Sequence, residues 1–176
     1  MKQVAEYISV FKNAIPEDMC NSTISILEND PNWALHEWTG AYDPNLDRSK
    51  DLHVLYSEHM KQFNPFVGKC LWEYIQPYGS IVEMWTSIRL NKYGTGKQMA
   101  EHVDLIRKSP TDGIPILSIL GLLNDDYKGG DFIMFGDTKI DLKQGDILIF
   151  PSTFLYPHNV TEVTEGTRYS FVTWAY

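Results

Sequence analysis

The stretch KGGDFIMFGDTKIDLKQGDILIFPSTFLYPHNVTEVTEGTRYSFVTWA, residues 128–175, decides how this chain folds. It divides into short apolar or alternating runs: Asp131 to Phe135, Ile140-Asp141-Leu142, Ile147 to Phe150, Asn159 to Val163 and Tyr169 to Trp174. Glycine-containing turns separate several of them, at Gly129-Gly130, Gly136-Asp137, Gly145-Asp146 and Gly166-Thr167. Just upstream, Ile81 to Tyr93 and Ile114 to Leu123 have the same texture. Runs of this length, bounded by turn formers, read as strands. Many short strands at close spacing predict a β-sandwich or barrel.

The first 80 residues read differently. Val4 to Phe11 resembles a strand. Ile15-Pro16-Glu17-Asp18 starts a helix, since proline suits the first helical position and acids favour its positive end. That helix turns Met19, Cys20, Ile24 and Leu27 inward and stops near Asn29-Asp30-Pro31. Trp33 to Trp38 suits a short strand, residues 39–51 a surface loop, and Phe66 to Ile75 a second helix ended by Pro77-Tyr78-Gly79. The expected architecture is mainly β, with N-terminal helices over 1–80 buttressing a strand-rich core over 81–176. There are no internal repeats or linkers, so residues 1–176 read as a single domain.

Bulk properties narrow the function. A chain of 176 residues, 43% hydrophobic and 22% charged, has ordinary globular composition and can bury a core without disulfides or a structural metal. Net charge is −8 and no basic run occurs, which disfavours nucleic acid as a partner. No run of about 18 apolar residues exists, so no membrane partner is expected. Cys20 and Cys70 lie far apart and read as buried free thiols of a reducing compartment. The expected location is cytoplasmic. The oligomeric state is not legible.

Among the five histidines, His102 and His158 stand where strands meet loops in the β half. In an extended segment, positions i and i+2 share a side. His102 and Asp104 therefore converge, and His158 facing the same cavity would complete two histidines and one carboxylate around a metal with open positions. A bare His-x-Asp is weak evidence, because either histidine could simply be a hydrogen-bonded loop or strand-end residue. Arg168 strengthens it. This arginine, one of four, lies ten residues after His158 inside an apolar strand with no acid to pair it. A buried guanidinium needs an anion, and a ligand carboxylate would satisfy it in bidentate fashion. Ser170 shares its face. The alternatives for Arg168 are an exposed edge position or pairing with Glu165.

At this point the sequence resembles a known family, the Fe(II)/2-oxoglutarate-dependent dioxygenases of the prolyl 4-hydroxylase-like branch. The resemblance runs from about Arg89 to Trp174. It is carried by Tyr93-x-x-Gly96-x-x-Met99-x-x-His102-x-Asp104, by Leu123-Asn124, Tyr127-x-Gly129-Gly130-Asp131-Phe132 and Gly145-Asp146-x-Leu148-x-Phe150-Pro151. It closes on Pro157-His158-x-Val160-x-x-Val163-x-x-Gly166-x-Arg168-x-Ser170-x-x-x-Trp174. It implies a double-stranded β-helix (jelly roll), with His102, Asp104 and His158 as both metal ligands and catalytic centre. It further implies Fe(II), 2-oxoglutarate and dioxygen as cofactor and cosubstrates. Arg168 would bind the distal carboxylate of 2-oxoglutarate, with a hydroxyl from Tyr93 and help from Ser170.

The implied reaction is hydroxylation of a substrate C–H bond with release of succinate and CO2, on a peptide or protein, proline first. Met99 departs from the pattern, standing where many relatives carry a second tyrosine. The rival readings are a hydroxylase of a small molecule or free amino acid, and a non-catalytic metal-binding jelly-roll module. A zinc hydrolase would need Glu101 as base, but neighbours on a strand point to opposite faces. Trp33, Trp38 and Trp85 suit either a peptide groove or core packing, and Thr39 to Asp51 either a lid or a solvated loop.

Overall fold

The computed structural model describes residues 3–37, 47–79, 82, 84–105 and 113–176. Thirteen strands are present among them: β1 (Ser9–Phe11), β2 (Ala34–Leu35), β3 (His53–Tyr56), β4 (Arg89–Tyr93), β5 (Met99–His102), β6 (Leu117–Leu122), β7 (Lys128–Gly129), β8 (Phe132–Met134), β9 (Thr138–Lys139), β10 (Ile147–Pro151), β11 (His158–Val160), β12 (Val163–Glu165) and β13 (Arg168–Ala175). Two α-helices precede β4: α1 (Glu17–Leu27) and α2 (Asn64–Ile75). The major sheet has the order β1-β10-β6-β13-β4-β3-β2, the minor sheet β5-β11-β8-β9, and β12 pairs with β7. All of these pairings are antiparallel.

Alternation along the central strands explains the layering. Ile147 and Ile149 of β10, Leu117 and Ile119 of β6, and Tyr169, Phe171 and Ala175 of β13 join one core with α1 and α2. The residues between them, Leu148, Phe150 and Leu120, join a second core with Phe132, Met134 and Val160 of the minor sheet. The major sheet is therefore covered on both faces, by helices and by the second sheet. A strand buried on both sides reads as a continuous apolar run, and every residue of β6 and β13 is buried. Gly121 is the one place in β6 without a side chain for a clear reason. A Cβ there would lie 2.2 Å from the Phe171 ring.

Several local expectations are corrected. Val4–Tyr7 is a 3-10 turn, because the Glu6 carboxylate accepts from the Gln3 backbone N–H (2.8 Å), and only Ser9–Phe11 is strand. The second helix begins at Asn64 and the first ends at Leu27. The strand after β8 is Thr138–Lys139, not Ile140 to Leu142. Phe135 and Gly136 both take left-handed φ (57° and 86°), which turns the chain early and pairs Met134 with Thr138. The first 80 residues contribute three strands as well as helices. β3, within a segment that carried no strand expectation, pairs with β4 throughout its length. Trp38 and residues 39–46 lie outside the described residues; Arg48–Lys50 forms a short 3-10 turn. Trp33 and Trp85 pack on the helix-side core, away from the space between the sheets.

No described helix is long and apolar enough to cross a membrane.

Candidate metal centre

The minor sheet brings His102 and His158 together directly. His102 ends β5, His158 begins β11, and the two are register partners. Their rings stand 4.3 Å apart, centroid to centroid. Asp104, two residues beyond His102, is 5% exposed and returns to the same point: Oδ1 lies 3.5 Å from His102 Nε2 and Oδ2 lies 3.7 Å from His158 Nε2. One donor atom from each residue falls within 4.8 Å of the others.

The neighbours fix which atoms face inward. His102 Nδ1 sits 2.8 Å from the Ala100 carbonyl, and His158 Nδ1 sits 3.0 Å from the Tyr156 carbonyl. A carbonyl only accepts, so each Nδ1 carries the proton and each Nε2 lone pair points at Asp104. This is the orientation that metal-bound histidines obtain from their outer partners. Ser118 Oγ donates to Asp104 Oδ2 (2.7 Å) and is itself 2.7 Å from Ser152 Oγ. Phe132 stacks on the His158 ring at 5.3 Å and Phe150 meets it edge-on at 5.0 Å. Burial pushes the His158 imidazole down to about 4, against the raising influence of Asp104, so it is neutral at pH 7. The Asp104 carboxyl is held well below its usual range: burial opposes ionisation, but His158, His102 and Ser118 outweigh it. Two imidazoles and one carboxylate, preoriented on one point, fit a divalent ion that keeps open positions.

Arg168 occupies the neighbouring part of the major sheet. It opens β13 opposite Tyr93 of β4, its guanidinium lies 5.1 Å from the Tyr93 ring, and it is 1% exposed. Nη1 donates to Ser170 Oγ (2.7 Å), while Nε is buried with no hydrogen-bond partner among the described residues. Pairing with Glu165 does not occur; that exposed residue takes Lys128 at 2.5 Å. A wholly buried guanidinium with one neutral partner is incomplete without an anion. Ser170 accepts from Arg168 and so positions it. Tyr93 is 2% exposed, and burial pushes its phenol upward. Gly130, at φ 62°, allows the approach of Arg168, since a Cβ there would lie 3.0 Å from Arg168 Cδ. Met99 is 6% exposed and lines the space beside the triad, and Glu101 is exposed on the opposite side of β5.

The space around the triad is narrow, about 30 Å³. That is room for about one water. A larger cleft of about 360 Å³ lies beyond Arg168, lined by Tyr127, Lys128, Asp131 and Lys143, and contains none of the triad. Convergent donor atoms, not volume, distinguish the chemical centre. Four lining residues escaped the sequence reading as site residues: Arg89, Asn91, Ser118 and Phe132. Counting back from Tyr93 by twos along β4 reaches Asn91 and Arg89, so that signal was available. Ser118 gave none, because only the crossing of β6 beneath Asp104 assigns it.

Comparisons with known proteins agree with this geometry. The family model described as the 2OG-Fe(II) oxygenase superfamily matches residues 88–176. The chain belongs to that superfamily, whose members use Fe(II) and 2-oxoglutarate. A PKHD-type hydroxylase of Caulobacter vibrioides is 36% identical over 93 residues, covering 48% of this chain and 40% of the relative. Another from Psychrobacter is 29% identical over 160 residues, 86% of this chain and 54% of that one. The chain thus spans about half or less of these relatives' lengths. Among solved structures, a Pseudomonas putida prolyl-4-hydroxylase superposes with a TM-score of 0.73 at 17% identity, covering 96% of this chain and 91% of that one. A Trichoplax adhaerens prolyl hydroxylase, solved with a hypoxia inducible factor peptide fragment, gives 0.73 at 16% identity over 96% and 83%. The fold is accordingly the double-stranded β-helix expected.

Proposed function

We propose that residues 1–176 form one oxygenase domain that hydroxylates a substrate C–H bond, using Fe(II), 2-oxoglutarate and dioxygen and releasing succinate and CO2. The observation that carries this reading is the pairing of a convergent His102–Asp104–His158 set with a buried arginine whose Nε lacks an acceptor. In this reading His102 Nε2, His158 Nε2 and an Asp104 oxygen hold the metal. Arg168 takes the distal carboxylate of 2-oxoglutarate, Tyr93 lies beside it, and Ser170 keeps the guanidinium in place. When bound there, Fe(II) with its two cosubstrates supplies the oxidising chemistry.

The chain's own residues prepare that chemistry. The carbonyls of Ala100 and Tyr156 each accept from an Nδ1–H, which leaves both Nε2 atoms facing the metal position. Ser118 fixes the carboxylate of Asp104. Phe132, Phe150 and Met99 give the space between the sheets an apolar lining.

The substrate class follows the relatives: a peptidyl side chain, proline first, handled in a reducing cytoplasmic compartment in keeping with the free thiols Cys20 and Cys70. A free amino acid or other small molecule is the second reading, supported by the apolar Met99 in place of a hydroxyl-bearing side chain.

Anaerobic titration of the metal-free protein with Fe(II) and then 2-oxoglutarate should develop a weak visible charge-transfer band, absent in His158→Ala. Iron binding without that band would overturn the cosubstrate assignment and leave a metal-binding module. Retention of iron-dependent succinate formation by the alanine variant would overturn the ligand set.

A further inference from the structure

The space around the triad receives a guanidinium of its own, separate from that of Arg168. Arg89 opens β4 and shares a face with Asn91 and Tyr93, and all three line the space around the triad. Its Nε donates to Asn91 Oδ1 (3.1 Å), its plane lies 5.1 Å from the Trp174 ring, and it is half-buried. No described carboxylate forms an ion pair with it. Trp174, also lining this space and 9% exposed, has a buried indole Nε1–H with no hydrogen-bond partner among the described residues. Donors without acceptors therefore collect on this space as well as at Arg168.

Register separates the two ends. Arg168 pairs with Tyr93 and Val172 pairs with Arg89, so the two arginines enter β4 positions four residues apart. At about 3.3 Å per residue, that is roughly 13 Å along the sheet. A five-carbon diacid anchored by one carboxylate at Arg168 and chelating at the triad has no carboxylate left for a second arginine at the far end. Resting on the oxygenase reading above, we propose that Arg89, braced by Asn91 and backed by Trp174, is a specificity-determining anchor for a carboxylate of the substrate. The molecule oxidised then carries an acid group close to the target carbon, either as a free amino acid or as an acidic group beside the target residue of a peptide.

The test uses the full chain loaded anaerobically with Fe(II) and 2-oxoglutarate, with binding read from the visible band and by calorimetry. The probes are the free amino acids, with L-proline against L-prolinamide, and proline peptides carrying aspartate or asparagine beside the proline. Wild type should bind a carboxylate-bearing probe about tenfold or more tightly than its carboxamide counterpart. Arg89→Gln should abolish that difference while changing the 2-oxoglutarate affinity less than about twofold, and Arg89→Lys should restore part of it. Which pair shows the difference tells free acid from peptide. The inference falls if wild type binds none of the acids or does not separate acid from amide. It also falls if Arg89→Gln weakens 2-oxoglutarate as strongly as the probe, which would make Arg89 a cosubstrate contact. Absence of the band in wild type would instead refute the oxygenase reading, and the anchor with it.

Discussion

Arg168→Met separates a ligand-binding arginine from a structural one by the sign of its effect on stability. Arg168 is the largest wholly buried side chain described, and its sole hydrogen bond among the described residues goes to Ser170. Substitution loses that bond, about 2 kcal/mol for a charged donor, and a ring contact with Tyr93 of about 1 kcal/mol. It relieves the burial of an ion with no counter-charge, an effective penalty of several kcal/mol. Methionine fills most of the stem's volume. The metal-free variant should therefore be neutral to about 2 kcal/mol more stable than wild type, which raises Tm by as much as ~4–8 °C for a domain of this size. Cosubstrate binding should move the other way. Losing a bidentate charged contact of about 3–4 kcal/mol raises Kd by roughly two to three orders of magnitude. Thermal melts with and without Fe(II) and 2-oxoglutarate read both quantities. Wild type at a hundredfold excess over Kd should gain about 2.7 kcal/mol, and the variant almost nothing. A metal-free variant destabilised by more than about 1 kcal/mol, or one that keeps its 2-oxoglutarate affinity, would show that Arg168 serves the fold and not the ligand.

Two further outcomes follow from the same geometry. Ser118→Ala removes the hydroxyl that orients Asp104 and should weaken Fe(II) binding about 10–100-fold with the fold intact, measured by competition with a metal-sensitive dye; an unchanged affinity would remove Ser118 from the site. Burial pushes the Cys20 thiol up to about 11 from an ordinary value near 9, so its contribution is fully present below pH 9 and is lost as pH rises towards 11. The stability difference between wild type and Cys20→Ala should fall by roughly 3 kcal/mol across that window in chemical denaturation, at about 1.4 kcal/mol per unit. A difference that stays flat would mean the thiol ionises freely in the folded state.

The legibility of the site depends on how far each signal reaches along the chain. His102 and Asp104 are two residues apart, so strand periodicity alone put them on one side. Arg168 stood out because an ion in an apolar strand is anomalous wherever the strand goes. Arg89 carried the same kind of signal, yet it begins a strand beside the exposed Ser87, and nothing local says that it turns toward the metal. β3 and β5 were missed for a related reason. His53-Val54-Leu55-Tyr56 and Met99-Ala100-Glu101-His102 are four residues each, too short for a convincing alternation, and their pairing with β4 and β11 makes them strands.

By itself, the sequence determined the strand-rich class, the glycine turns, the α1 and α2 helices and the identity of the residues able to bind a metal and a carboxylate, because these rest on side-chain chemistry and spacings of a few residues. Only the tertiary structure decided that His158 is the register partner of His102, that Ser118 reaches Asp104 from β6, and that Arg89 lines the space around the triad while Arg168 stands opposite Tyr93, four β4 positions away. Those relations join residues 14 to 79 positions apart. They are set by sheet order and by which face of the doubly covered major sheet each side chain takes, quantities that no local pattern encodes.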